Sequence, residues 1–127
     1  MPPRTVDDTG QLVVDPSFEW TGGGLISTSG DLARWMAMLF QHDTLRPISA
    51  LMTRIPDDNA RYGLGLSLRD GADGPLWGHS GWYLGYRTEV GYSKAKSAGV
   101  AFQTNYAQAD GGGAVDRLLA EIASRDR

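Results

Sequence analysis

A change of rhythm along the chain limits what it can fold into. Leu32, Trp35, Met36, Leu39 and Phe40 recur at i, i+3, i+4, i+7 and i+8, the spacing of one helix face. From Ala60 the period drops to two. Tyr62, Leu64, Leu66 and Leu68 alternate with Gly63, Gly65 and Ser67, which predicts a strand. Dense turn chemistry follows at Asp70–Pro75. Further strands are expected at Leu76–Gly81, at Tyr86–Tyr92 and, after a polar hairpin loop at Ser93–Ser97, at Gly99–Asn105. Loops this short join antiparallel neighbours. Val115, Leu118, Leu119 and Ile122 then mark a last helix, with Asp110 placed to cap it.

The helix over 32–40 has Ser29 as its expected N-cap and Asp31 in its first turn, and should end near Gln41-His42. A short second helix is expected to open at Pro47 and run to about Arg54. Residues 1–24 read as an irregular N-terminal segment, with Gln11–Val14 as one piece able to pair as a strand. Residues 25–127 read as the domain proper. Helix, four antiparallel strands and a helix that packs back on the sheet define an α+β fold.

Bulk properties remove several function classes. The net charge is −3 and only two lysines occur, the neighbours Lys94 and Lys96, so no basic face for nucleic acid forms. There is no cysteine, which excludes disulfides and thiolate metal sites. Two histidines, His42 and His79, are too few and too far apart to suggest a metal site. No apolar run reaches the roughly 18 residues of a membrane span. Met1-Pro2-Pro3-Arg4 has no apolar stretch behind it to make a signal peptide, and location is left open.

The segment richest in chemistry is Trp77-Gly78-His79-Ser80-Gly81-Trp82. Around it, in order, stand Gly23-Gly24-Leu25-Ile26-Ser27-Thr28 with Asp31-Leu32-Ala33-Arg34, then Leu45 to Met52, Tyr62-Gly63-Leu64-Gly65, Gly85-Tyr86 and Gln103-Thr104-Asn105. Over roughly residues 20 to 123 this set resembles the C-terminal part of the serine β-lactamase and DD-peptidase superfamily, the penicillin-recognising serine hydrolases. The resemblance implies the C-terminal portion of a transpeptidase-like fold, including a helix from the adjoining lobe. It makes His79-Ser80-Gly81 the family's third motif. In that motif a basic or imidazole residue is followed by Ser or Thr and then Gly. The resemblance is to the class C β-lactamase-like or esterase branch; histidine in place of lysine departs from the common β-lactamase form and leans toward the carboxypeptidase, esterase or aminopeptidase-like branches.

The resemblance implies a role for each residue of the strand. Gly81 lets the strand edge approach a bound acyl group, and the backbone N–H of Trp82 supplies one oxyanion-hole donor. The Ser80 hydroxyl bonds a substrate carboxylate or carbonyl. His79 donates a hydrogen bond, moves a proton or attracts an anion, since imidazole is the side chain that titrates nearest neutrality. Tyr83 and Tyr86, with Trp82, either line a substrate cleft or pack under the sheet.

The family's nucleophile, a serine opening a Ser-x-x-Lys helical turn, and its Tyr-x-Asn motif do not occur before His79. The single Ser-x-x-Lys, Ser93-Lys94-Ala95-Lys96, falls in a hairpin loop, where the lysine cannot stack one helical turn above the serine. A lipase-type G-x-S-x-G elbow fails at Trp82. Gly111-Gly112-Gly113 reads as a flexible linker and Gly22-Gly23-Gly24 as a turn. The Trp35, Met36, Leu39 and Phe40 stripe reads as core.

The leading expectation is therefore a segment of an acyl-transferring hydrolase for esters, amides or β-lactams, inactive alone. A non-catalytic module for acyl or peptidoglycan-like ligands, or a structural remnant, are the alternatives. The expected partners are a small acyl, peptide or β-lactam-type ligand and either a second copy or a complementary N-terminal fragment, because apolar faces would otherwise stay exposed.

Overall fold

The computed structural model describes residues 7–11, 13–23, 25–56, 61–83, 85–106 and 108–125. Two helices come first, α1 (Ser29–Gln41) and α2 (Arg46–Met52). Four strands follow, β1 (Ser67–Gly71), β2 (Gly74–Tyr83), β3 (Tyr86–Ser93) and β4 (Ala98–Thr104), and α3 (Gly111–Arg125) is the last element described. The strands form one antiparallel sheet in the order β1-β2-β3-β4. The expected α+β architecture is what the chain adopts.

Each sheet face carries its own apolar cluster. On one face, Met36 and Leu39 of α1 meet Leu66 and Tyr92, with Phe40 stacked on the Tyr92 ring at 4.3 Å and 6°. On the other, Val115 and Leu119 of α3 cover Leu76 and Val100. An ion pair from Arg69 on β1 to Asp116 on α3, at 3.0 Å, fixes α3 further. The helix stripe is only partly core, however. Trp35 is 47% exposed and borders a concavity with Leu25, Ile26 and Gln103.

Several boundaries differ from the sequence reading, each for a local reason. The α1 N-cap is Thr28, whose hydroxyl accepts from the Asp31 N–H at 3.1 Å and donates to the Asp31 carboxylate, leaving Ser29 as the first helical residue. Pro47 falls in the first turn of α2 but does not open it, and Arg46 begins that helix. The asparagine of the expected fourth strand lies just past its end at Thr104.

Residues 62–66 are not strand. Tyr62 makes a lone bridge to Ser67, and Gly65 takes a positive φ of 77°. The leucine–glycine alternation there imitates a strand, yet two glycines turn the chain instead. Ala60 lies outside the described residues. So does Leu12, and its neighbours Gln11, Val13 and Val14 join no strand. Among the described residues of the N-terminal segment, Pro16–Glu19 form a 3₁₀ turn and residues 20–23 a turn, with Gly24 outside the described residues. Gly111-Gly112-Gly113 is not a linker; it is the first turn of α3. A Cβ at Gly113 would fall 2.0 Å from the capping Asp110 carboxylate, whose Oδ1 accepts from the Gly113 N–H at 2.9 Å.

Candidate active site

The middle of β2 is where the sheet changes character. β1 pairs with β2 only as far as Gly78, and no described strand pairs with the same side of residues 79–83. The direction of the β2 backbone groups follows from the ladder. Leu68 donates its N–H outward to the Arg61 carbonyl at 2.8 Å, so Ser67, Arg69 and Gly71 are the β1 residues whose backbone faces β2. Their partners are Gly78, Leu76 and Gly74. Orientation alternates along a strand. The N–H and C=O groups of Ser80 and Trp82 therefore point toward the uncovered edge, while those of His79, Gly81 and Tyr83 bond β3.

Side chains alternate as well, so the predicted site residues divide between faces. His79, Gly81 and Tyr83 lie opposite Val90, Thr88 and Tyr86, on the α1 face. Ser80 and Trp82 lie opposite Glu89 and Arg87, on the α3 face. The imidazole and the Ser80 hydroxyl thus flank the free edge from two sides and do not meet. Both side chains are exposed.

Beside the edge, Gly81, Trp82, Tyr83, Tyr86 and Thr88 line a groove of ≈ 200 Å³ that Glu19, Gly22, Gly23 and Leu25 close from the N-terminal segment. The three aromatics accordingly line a concavity, with Trp82 at 59% and Tyr86 at 52% exposure. His79 stands outside that lining, two residues along the strand. A Cβ at Gly81 would meet one atom, Thr88 Cβ, at 3.9 Å, so the strand surface there is open.

One partner of the imidazole escaped the sequence reading. The Tyr62 hydroxyl lies 2.8 Å from His79 Nε2, with the rings edge-on at 5.7 Å and 70°. Tyr62-Gly63-Leu64-Gly65 carries only half of the signal: two glycines two residues apart can mark a bend, but they do not say where it aims the tyrosine.

On the α3 face, Glu89 is buried beneath the first turn of α3, where a Cβ at Gly111 would stand 3.1 Å from Glu89 Cβ. Burial pushes the carboxyl above its ordinary value of 4.5, against the opposing pull of Arg69, Arg87 and His79, while Asp110 adds to the rise. Between 4.5 and the raised value the folded chain holds more proton than the unfolded one, so stability falls as pH rises through that window. Glu89→Gln should remove this dependence. Its melting temperature should match the native chain below pH 4.5 and exceed it increasingly above, in thermal melts across pH.

The hairpin Ser-x-x-Lys carries no nucleophile–base pair. Ser93 is 2% exposed and its hydroxyl accepts from the Lys96 backbone N–H at 3.3 Å, while the Lys96 ammonium bonds Asp73 at 2.7 Å. No cluster of metal-ligating side chains occurs among the described residues. Nor is any of their helices long and apolar enough to cross a membrane.

This α+β sheet with an open β2 edge belongs to a recognisable class. The β-lactamase family model matches residues 1–124, and the chain belongs to that family. No curated protein and no solved structure matches it.

Proposed function

We propose that this chain forms one wall of an acyl-transfer site in a serine hydrolase, and that the attacking serine comes from a segment or chain outside these residues. The observation that carries the reading is the outward Trp82 N–H on an edge that no described strand covers, next to an exposed imidazole. An acyl ligand lying along that edge would place its carbonyl oxygen on the Trp82 amide. Oxyanion donors of this kind stabilise the charge that develops in the tetrahedral state. Gly81 lets the acyl group lie against the strand. The groove beyond it, bordered by Tyr83 and Tyr86, is sized for a small acyl substituent. His79 from one face and Ser80 from the other bind the ligand's carboxylate or carbonyl. The imidazole where the common β-lactamase form places lysine supports the esterase branch, acting on esters, amides or β-lactams. No cofactor is called for in this chemistry.

The exposed Leu25, Ile26 and Trp35 support a second element of the reading. They border a further concavity with Leu32, Thr88 and Gln103, and this apolar surface is where a complementary fragment or a second copy would dock. Without that partner the wall binds ligands and does not turn them over.

The test is titration of the chain with an N-acyl dipeptide carboxylate by calorimetry. Saturable binding is expected, weakened about tenfold or more in His79→Ala, as loss of a charge-assisted hydrogen bond implies. Ser97→Ala, in the hairpin turn, should bind like the native chain. Absence of saturable binding would leave only a structural role, and equal binding in all three would put the ligand away from His79; either result overturns the reading.

A further inference from the structure

We propose that Tyr62 is a positioning residue that sets the tautomer of His79, so that Nδ1–H is the donor the neutral imidazole offers to a ligand. The inference starts from the 2.8 Å contact between the phenol and Nε2. A neutral imidazole has one donor and one acceptor nitrogen, and the hydrogen bond made at one nitrogen decides the role of the other. Two arrangements satisfy the contact, phenol to nitrogen or nitrogen to phenol. A phenol O–H is a stronger acid than a neutral imidazole N–H, and the imidazole nitrogen is a better acceptor than a phenol oxygen. The O–H···Nε2 form therefore wins, and the ring proton goes to Nδ1.

Both partners are held independently, so the pairing is not an accident of two mobile side chains. His79 is fixed by the β2–β3 ladder opposite Val90. Tyr62 sits in a bend pinned by three backbone bonds, from Gly63 N–H to Leu66 O at 2.8 Å, from Leu64 N–H to Met52 O at 2.9 Å and from Leu68 N–H to Arg61 O at 2.8 Å. That bend exists because Gly63 can come where a Cβ would stand 2.1 Å from the Met52 carbonyl. The backbone geometry of a loop remote in sequence thereby chooses which nitrogen of His79 is free.

Protonation of the ring reverses the contact. Nε2–H then donates to the phenol oxygen, and the hydroxyl hydrogen turns outward as a second donor beside the edge. The pair can thus present one donor when neutral and two when charged. Its use to a ligand rests on the reading of His79 given above; the tautomer itself does not.

Long-range ¹H–¹⁵N correlation spectra of the full chain, recorded above the histidine titration range, read the tautomer directly without any ligand. His42, exposed at the end of α1, is the other histidine and serves as the internal reference. In the native chain, His79 should show a protonated Nδ1 and an unprotonated Nε2. Tyr62→Phe, which keeps the ring and removes only the hydroxyl, should shift the tautomer ratio about fivefold toward that of His42. A matching thermal melt shows that the variant is folded; Tyr62→Leu, which carries no hydrogen-bonding group, serves in its place should Phe not fold, with the same shift expected. A protonated Nε2 in the native chain, or an unchanged ratio in the folded variant, overturns the proposal. Peptide titration of the same samples keeps the two claims apart. A tautomer shift without ligand binding sinks the site reading and leaves this one standing.

Discussion

Gly99→Val is expected to destabilise the chain by about 3 kcal/mol, at the upper end for an overpacked core. The reason is backbone against backbone. A Cβ at residue 99 would stand 2.4 Å from the Ala33 carbonyl oxygen and 2.7 Å from the Ala37 nitrogen, both on α1. Neither atom can rotate away as a side chain does. Helix α1 must lift from β4, and lifting it loosens Met36 and Leu39, which are buried to 2% and 0% exposure beneath it. The usual gain from placing a β-branched residue in a strand is too small to offset this. Thermal melting should fall by roughly 10 °C. Gly81→Ala, in the same sheet but facing open space, should stay within about 0.5 kcal/mol of the native chain. Equal melting of Gly99→Val and the native chain would mean that α1 does not lie on β4 as described.

The pair of glycines also shows what was legible in the sequence. The strand pattern located β2, β3 and β4 to within two residues, because alternating apolar side chains and short polar loops leave few other solutions. It failed where glycine stood in for the polar partner. Gly63 and Gly65 alternate with leucines as strand residues would, yet they serve a bend, and only the approach to Met52 reveals it. Gly111 to Gly113 read as a linker for the same reason: flexibility is visible in sequence, whereas the capping carboxylate of Asp110 and the closeness of Glu89 are not. The one-residue error at the N-cap, Thr28 for Ser29, reflects two adjacent hydroxyl residues of similar capping strength.

Site residues followed a similar division. His79, Gly81 and Trp82 were singled out through their motif, and the structure places them on β2 beyond the reach of β1. The separation of Ser80 from His79 by the sheet was implicit in their being neighbours on a strand, since adjacent side chains point to opposite faces. Tyr62 was out of reach, seventeen residues away, because a bend of unknown direction decides where its hydroxyl falls.

The second large effect is all or none. If the wall is here and the attacking oxygen is not, a reactive acylating probe should find no activated serine in the isolated chain. Four of the described serines support that expectation individually. Ser93 is buried against its own turn, Ser67 donates to the Gly78 carbonyl at 2.9 Å, and Ser49 donates to the Arg46 carbonyl at 3.0 Å. Ser80 is exposed but has no side-chain hydrogen bond to a base among the described residues, and His79 Nε2 is engaged by Tyr62. A serine without a base is a weak nucleophile.

The deciding measurement is incubation of the purified chain with a fluorophosphonate or a fluorescent penicillin, followed by intact-mass and peptide mass spectrometry. The chain should retain its unmodified mass, even while it binds the acyl dipeptide reversibly. A stoichiometric acyl or phosphonyl adduct on any of its own serines would contradict the account.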